Sequence, residues 1–237
     1  MTRDASSPSI DRHGPLRLHL LGLTALTGVV DAVSYLALGH VFVANMTGNV
    51  VFLGFAVADS RGFSVPASGA AVAAFLAGAL GGGRLGAGMG RHRARFLAVA
   101  ICIEVVLTAA ALAVSIVARN LDGMAGHYLL IVFLALAMGV QNATARRLGV
   151  PDLTTTVLTL TLTGLAADSR LIGGSGSQRR RRLAAAGMMF GGAAAGAMLI
   201  ARFGVAAALA AGVALLVAAG VSISRHWHSS EEWTAGA

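Results

Sequence analysis

The stretch GVVDAVSYLALGHVFVANMTGNVVFLGFAVAD, Gly28 to Asp59, decides how the rest of the chain reads. It is an apolar run interrupted by one acid, Asp31, and by a tight polar cluster in which Asn45, Thr47 and Asn49 surround Gly48. Where water is scarce, a buried amide or hydroxyl costs about 1–3 kcal/mol unless it finds a partner. Polar groups packed this densely into membrane-like sequence therefore point to a lined cavity or a break in a helix.

Working outward, the composition agrees. Of 237 residues, 56% are hydrophobic and 12% charged, about half the ~25% charged fraction of an ordinary soluble domain. Ala, Leu, Val and Gly dominate and long β-alternation is missing, so the fold class is all-α and polytopic, not a β-barrel. The net charge of +8 rests on 18 basic residues, all arginine. They sit between apolar runs, where they set topology and meet anionic headgroups. No basic helix stands apart from those runs, which argues against nucleic acid as a partner. Cys102, the only cysteine, lies inside an apolar run and leaves no scope for an intramolecular disulfide or a thiolate metal cluster.

Eight apolar segments follow one another at 16–38, 41–58, 66–89, 96–118, 127–145, 150–167, 183–201 and 203–224. If all eight crossed, with the N-terminus inside, 11 arginines would fall inside and 7 outside. If segments two and six enter and leave on one side, the count becomes 15 inside and 3 outside. The positive-inside rule prefers the second arrangement: about six spanning helices plus two short broken or re-entrant segments. Residues 1–15 are expected to be a disordered cytoplasmic N-terminus and 225–237 a solvated cytoplasmic tail, with the first helix retained and not cleaved as a signal.

The two halves echo one another, 16–118 forming a first membrane repeat and 127–224 a second. Gly28-Val29-Val30-Asp31-Ala32 aligns with Gly139-Val140-Gln141-Asn142-Ala143 at an offset of 111. Met46-Thr47-Gly48-Asn49 aligns with Leu158-Thr159-Leu160-Thr161 at 112, and Gly78 and Gly82 align with Gly192 and Gly196 at 114. Three crossings per half make the repeat inverted, an architecture in which broken segments meet near the midplane.

Candidate site residues follow from that geometry. Asp31 is a lone intramembrane acid, which costs about 2.5–3.5 kcal/mol on insertion scales. It reads either as a proton or cation site or as a helix-end acid that reaches interfacial water or pairs with an arginine. Asn45, Thr47, Gly48 and Asn49 supply amides, a hydroxyl and a flexible backbone; Gln141, Asn142, Thr159 and Thr161 face them from the second half. Thr154, Thr155 and Thr156 add hydroxyls, and the period-two spacing of Thr159, Thr161 and Thr163 suggests an extended or tightly wound segment. These threonines also suit simple back-bonding to the i−4 carbonyl. Glu104, deep in the fourth segment, is expected to pair with Arg84, a proton-relay role being the lesser alternative. The four-residue ladder Gly78, Gly82, Gly86, Gly90, with Gly187/Gly191 and Gly192/Gly196, reads as helix packing within a protomer or between copies, which leaves a homo-oligomer open. His226, His228, Glu231 and Glu232 suit a solvated tail better than a metal site. No nucleophile–base set or catalytic carboxylate pair is present, so neither an enzyme nor a cofactor is expected.

GVVDAVSYLALGHVFVANMTGNVVFLG, the amide pair in MGVQNA and the threonine-rich TTTVLTLTLTGLA together resemble the YoaK-like family of small bacterial membrane proteins, over about Leu16 to Ser224. The sequence departs from it where a threonine-glycine-threonine echo of MTGN is expected and Thr159-Leu160-Thr161 stands instead. The resemblance implies a multi-pass protein of the inner membrane with six helices, of a kind described as transporters without an assigned substrate. The expected function is a transporter or facilitator of a small solute or ion in the lipid bilayer, both termini cytoplasmic. The alternative is a non-transporting membrane scaffold or partner subunit.

Overall fold

The computed structural model of the chain describes residues 13–58, 62–117, 124–150, 158–167 and 178–235. Its helices are α1 (Leu16–Ala37), α2 (Met46–Val57), α3 (Val65–Met89), α4 (Arg93–Val117), α5 (Met124–Leu148), α6 (Leu158–Ala167), α7 (Arg179–Phe203) and α8 (Val205–Ser224). Six of them are long and apolar enough to cross a membrane. At about 1.5 Å of rise per residue they reach some 30 Å or more, the thickness of a hydrocarbon core. The 12 residues of α2 and the 10 of α6 cover only about 18 and 15 Å and do not. The expected six spans and two short segments are thus present. Thr154, Thr155 and Thr156 lie outside the described residues.

Local chemistry sets the boundaries. Gly39 and His40 turn the chain at φ +87° and +58°, ending α1 ahead of α2. Ser64 caps α3 by accepting from the Ala67 amide at 3.3 Å, and Pro66 fits the first turn, where an amide hydrogen has no helical partner. Gly204, at φ +84°, is the whole connection between α7 and α8.

Packing is closest where glycines let backbones touch. On α1, a Cβ at Gly28 would run into the Met189 carbonyl and lie 2.6 Å from the Ala193 nitrogen, both on α7. On α5, a Cβ at Gly139 would run into the Phe75 carbonyl and lie 2.7 Å from the Ala79 nitrogen, both on α3. Reciprocally, Gly192 sits on the backbone of Ala25 and Gly78 on that of Leu136. A Cβ at Gly196 would lie 3.0 Å from Val29 Cα, and one at Gly82 would lie 3.0 Å from the Val140 carbonyl oxygen. The ladder from Gly78 to Gly90 is therefore used inside the protomer, against α5, whereas Gly81, Gly83, Gly187 and Gly191 meet nothing within 4 Å. α1 and α5 are the innermost spans, with 61% of their apolar windows buried against 17–33% for the other four.

One arginine fixes the helix directions. Arg93, at the start of α4, reaches His13 just ahead of α1 (3.3 Å) and the Leu148 carbonyl at the end of α5 (2.5 Å). The starts of α1 and α4 and the end of α5 thus share one face, so α1 and α5 run in opposite directions. The segment after α8 lies on the same face and is docked, not solvated as expected. His92 Nε2 donates to the Ser229 carbonyl (3.1 Å), since its Nδ1 accepts from the Arg95 amide (3.3 Å). Arg95 donates to the Trp227 carbonyl at 2.7 Å, and Trp233, 5% exposed, closes over Gly14. Apolar burial of an indole offsets the ordering of a short terminal segment.

Two further expectations change. The period-two threonines lie on an α-helix, where alternate residues point about 200° apart; Thr161 is buried while Thr159 and Thr163 are exposed. Glu104 does not pair with Arg84. Arg84 is exposed on α3, whereas Glu104 is fully buried with neither carboxylate oxygen hydrogen-bonded.

Candidate functional site

Between α1 and α2 the eight residues Leu38–Asn45 form no helix, and their amides need partners wherever water is excluded. Asp31 supplies one set. Its carboxylate, 6% exposed, accepts from the Ala44 amide at 3.0 Å, and the amides of Val43 and Asn45 also reach it. Asn49, on the first turn of α2 and fully buried, supplies the other. Its Oδ1 accepts from the Phe42 amide (2.9 Å) and its Nδ2 donates to the Phe42 carbonyl (2.5 Å). One side chain thus replaces both missing backbone partners of Phe42. Gly48 completes the fit, because a Cβ there would meet the Phe42 ring at 2.7 Å. In the MTGN element, glycine and asparagine together pin this turn, and the remaining polar groups are left to face outward from it.

They face a cavity of about 830 Å³ bounded by α1, α2, α3, α6 and α7. Of the residues singled out in the sequence, Asp31, Asn45, Thr47, Gly48 and Thr159 line it. Asn49, Gln141, Asn142 and Thr161 do not. Gln141 is buried and donates to Thr27 Oγ1 (2.8 Å), tying α5 to α1. Asn142 donates to the Met138 carbonyl one turn earlier (2.8 Å). Thr161 is buried on α6. Asp31 is the one ionisable group among the cavity's lining residues; the rest are hydroxyl, amide and apolar.

Phe75 and Met189 also line the cavity and carry no polar signal to single them out. They stand 114 residues apart, the offset of the glycine ladders. Thr47 and Thr159, and Met46 and Leu158, are likewise lining pairs, each at the offset of 112. Tyr35, Phe42, Phe52, Phe55 and Phe63 form a chain of ring contacts with centroids 5.0–6.3 Å apart, which reaches the cavity wall at Phe52. That cluster packs the short helix against the turn before it and the segment after it. Across the bundle, α6 is tied to α7 by Arg182, which donates to the Gly164 carbonyl and to Gln178 Oε1 (3.1 Å).

The transmembrane protein YoaK (UPF0700) of Bacillus subtilis strain 168 is 36% identical to this chain over 151 residues. The match covers 64% of this chain and 65% of that relative, just under two thirds of its length. No solved structure matches. The family described as protein of unknown function, DUF1275, matches residues 19–222, from the second turn of α1 to the last turn of α8. The chain belongs to the DUF1275 family of membrane proteins.

Proposed function

We propose that this protein is a secondary transporter or facilitator for a small solute that is neutral or cationic. It is not an enzyme on this reading, and it sits in the inner membrane with both termini in the cytoplasm. The observation that carries the reading is the cavity wall. Asp31 stands on it without a cationic side chain among the lining residues, and Thr47 faces it from the first half as Thr159 does from the second. A lone carboxylate beside hydroxyls and an amide suits a solute that donates hydrogen bonds, while Phe52, Phe75 and Met189 cover its apolar parts.

An inverted duplication of the two halves is part of the same reading. The glycine contacts of α1 on α7 match those of α5 on α3 residue by residue at offsets of 111 and 114, and α1 runs opposite to α5. Transporters of that design bind near the midplane, where short helices of the two halves meet, and alternate access by rocking one half against the other. The positive-inside distribution of arginine supports cytoplasmic termini.

The test is solute binding and flux. Purified protein in lipid, screened by thermal shift against small cations and neutral metabolites, should yield a stabilising ligand whose effect is lost in Thr47→Val and Thr159→Val. The same variants should slow its uptake into proteoliposomes. A ligand that binds equally to both variants, or no flux for any stabilising ligand, would instead favour a membrane scaffold.

A further inference from the structure

The cavity joins one carboxylate to a wall that is otherwise mostly apolar. Asp31 is the single acid on its lining, Asn45, Thr47 and Thr159 add one amide and two hydroxyls, and the rest is hydrocarbon, thioether and backbone. No cationic side chain balances Asp31 from the elements around it. α2 and α6 have no ionisable residue, and His40, on the turn between α1 and α2, is exposed and packs edge-on against Tyr35. On α1, His19 stands twelve residues before Asp31. On α3, Arg84 stands nine residues from Phe75, and on α7 Arg182 and Arg202 stand seven and thirteen from Met189, about 10 Å or more along each helix.

Backbone dipoles support the acid instead. The amides of Val43, Ala44 and Asn45 converge on the carboxylate, that of Ala44 at 3.0 Å, and N–H groups aimed at a carboxylate stabilise its charge. Neutral donors leave the net negative charge in place. A cleft that carries one sign of charge between apolar walls attracts the opposite sign and repels its own.

The other lining groups select among cations. A calcium ion takes about six to eight oxygen ligands and a magnesium ion about six. The cavity offers the Asp31 carboxylate, whose Oδ1 already accepts from Ala44, with one amide oxygen and two hydroxyls. An ammonium head needs only a few acceptors, and the carbon it carries needs apolar surface. Phe52 and Phe75 add aromatic rings to that surface, and ring faces attract ammonium groups.

These rings are held in place by packing. Tyr35, four residues after Asp31 on α1, stacks on Phe42 (centroids 5.0 Å apart, planes at 25°), and Phe42 stacks on Phe52 (5.7 Å, 17°). Asn49 clasps the backbone of Phe42, in the middle of that stack. The two glycine crossings fix the other walls. The Phe75 carbonyl sits against Gly139, and the Met189 carbonyl against Gly28, three residues before Asp31. A site assembled before its ligand arrives loses little to ordering on binding.

We infer that the solute of this cavity is an organic monocation, a protonated amine on an apolar body, with its ammonium head at Asp31 and its carbon against Phe52 and Phe75. This rests on the cavity being a solute site, and it narrows the class from neutral or cationic solutes to one.

Phenethylammonium, phenethyl alcohol and phenylacetate carry the same ring on a positive, a neutral and a negative head. Thermal-shift titration of the full chain in lipid nanodiscs at neutral pH compares them. Phenethylammonium should bind about tenfold or more tighter than the alcohol, and phenylacetate should give no saturable shift. Asp31→Asn should bring phenethylammonium down to the level of the alcohol. Phe75→Leu should weaken phenethylammonium about threefold and the alcohol less. Should Asp31→Asn fail to fold, the wild-type ranking and Phe75→Leu still decide the matter. Equal affinity for ammonium and alcohol, or tighter binding of phenylacetate, overturns the organic cation. So does phenethylammonium binding that is unchanged in Asp31→Asn and Phe75→Leu, because the cation is then bound elsewhere. If none of the three probes binds but another solute stabilises the wild type and not Thr47→Val, the amine is wrong and the solute site stands. If no solute does so, both readings fail.

Discussion

Arg93 donates to the Leu148 carbonyl at 2.5 Å, and through that contact the beginning of one helix is held beside the end of another. Arg93 also reaches His13, so the bond orients three spans at once. Both contacts are made by one terminal nitrogen, Nη2, whose two hydrogens reach acceptors on different chain segments. Replacing Arg93 by Lys keeps the charge and shortens the reach to both acceptors. We expect Arg93→Lys to lower stability in detergent by about 1.5–3 kcal/mol, the scale of a charge-assisted hydrogen bond, read as a fall in Tm.

Asn49 and Phe42 give a second prediction. Asn49→Ala leaves the amide and carbonyl of Phe42 without partners in a buried turn, at a cost of about 1–3 kcal/mol for each orphaned group. Thermal unfolding should drop markedly, and Asn49→Asp, which keeps only the acceptor, should fall between. An unchanged Tm in Asn49→Ala would mean that the turn is held by something else.

The glycine contacts forecast a matched pair of effects. Gly28→Val and Gly139→Val each drive a branched side chain into a facing backbone, and overpacking of this kind costs about 1–3 kcal/mol. Both should aggregate or melt early on size-exclusion chromatography, whereas Gly83→Val, which meets nothing within 4 Å, should behave like the wild type.

The docked tail predicts that Trp233→Ala destabilises the terminal face. Trp233 is buried over Gly14 and donates to Glu231. Its removal should cost about 3 kcal/mol at most, the lower end for truncating a core indole. Limited proteolysis should then cut between Arg225 and Ala235 faster than in the wild type.

Topology is open to a labelling experiment. With Cys102 replaced by Ser, single cysteines at Arg91 and Ser229 should both react with an impermeant maleimide only from the cytoplasmic side. Labelling of either from outside would reverse the orientation taken from arginine counting.

Much of the architecture was legible in the chain because the bilayer imposes strict rules. Segment length separates α2 and α6 from the six long apolar helices. Repeated glycines at fixed offsets mark the close crossings. What the polar residues do was far less legible. Asn49 and Thr47 sit two apart in one motif, yet the first clasps the backbone of Phe42 and the second faces the cavity.

By itself the amino-acid sequence determined the class and the apolar segments, six of them long enough to cross a membrane and two short. Those depend on hydrophobic length and on charge distribution, which are properties of each segment alone. Tertiary structure alone decided that Asp31 caps a turn while lining the cavity, that Glu104 has no arginine partner, and that the tail is docked. Each of those outcomes depends on which groups lie within about 3 Å of one another, the reach of a hydrogen bond. Residues as far apart in the chain as Gly14 and Trp233 meet only when the helices pack.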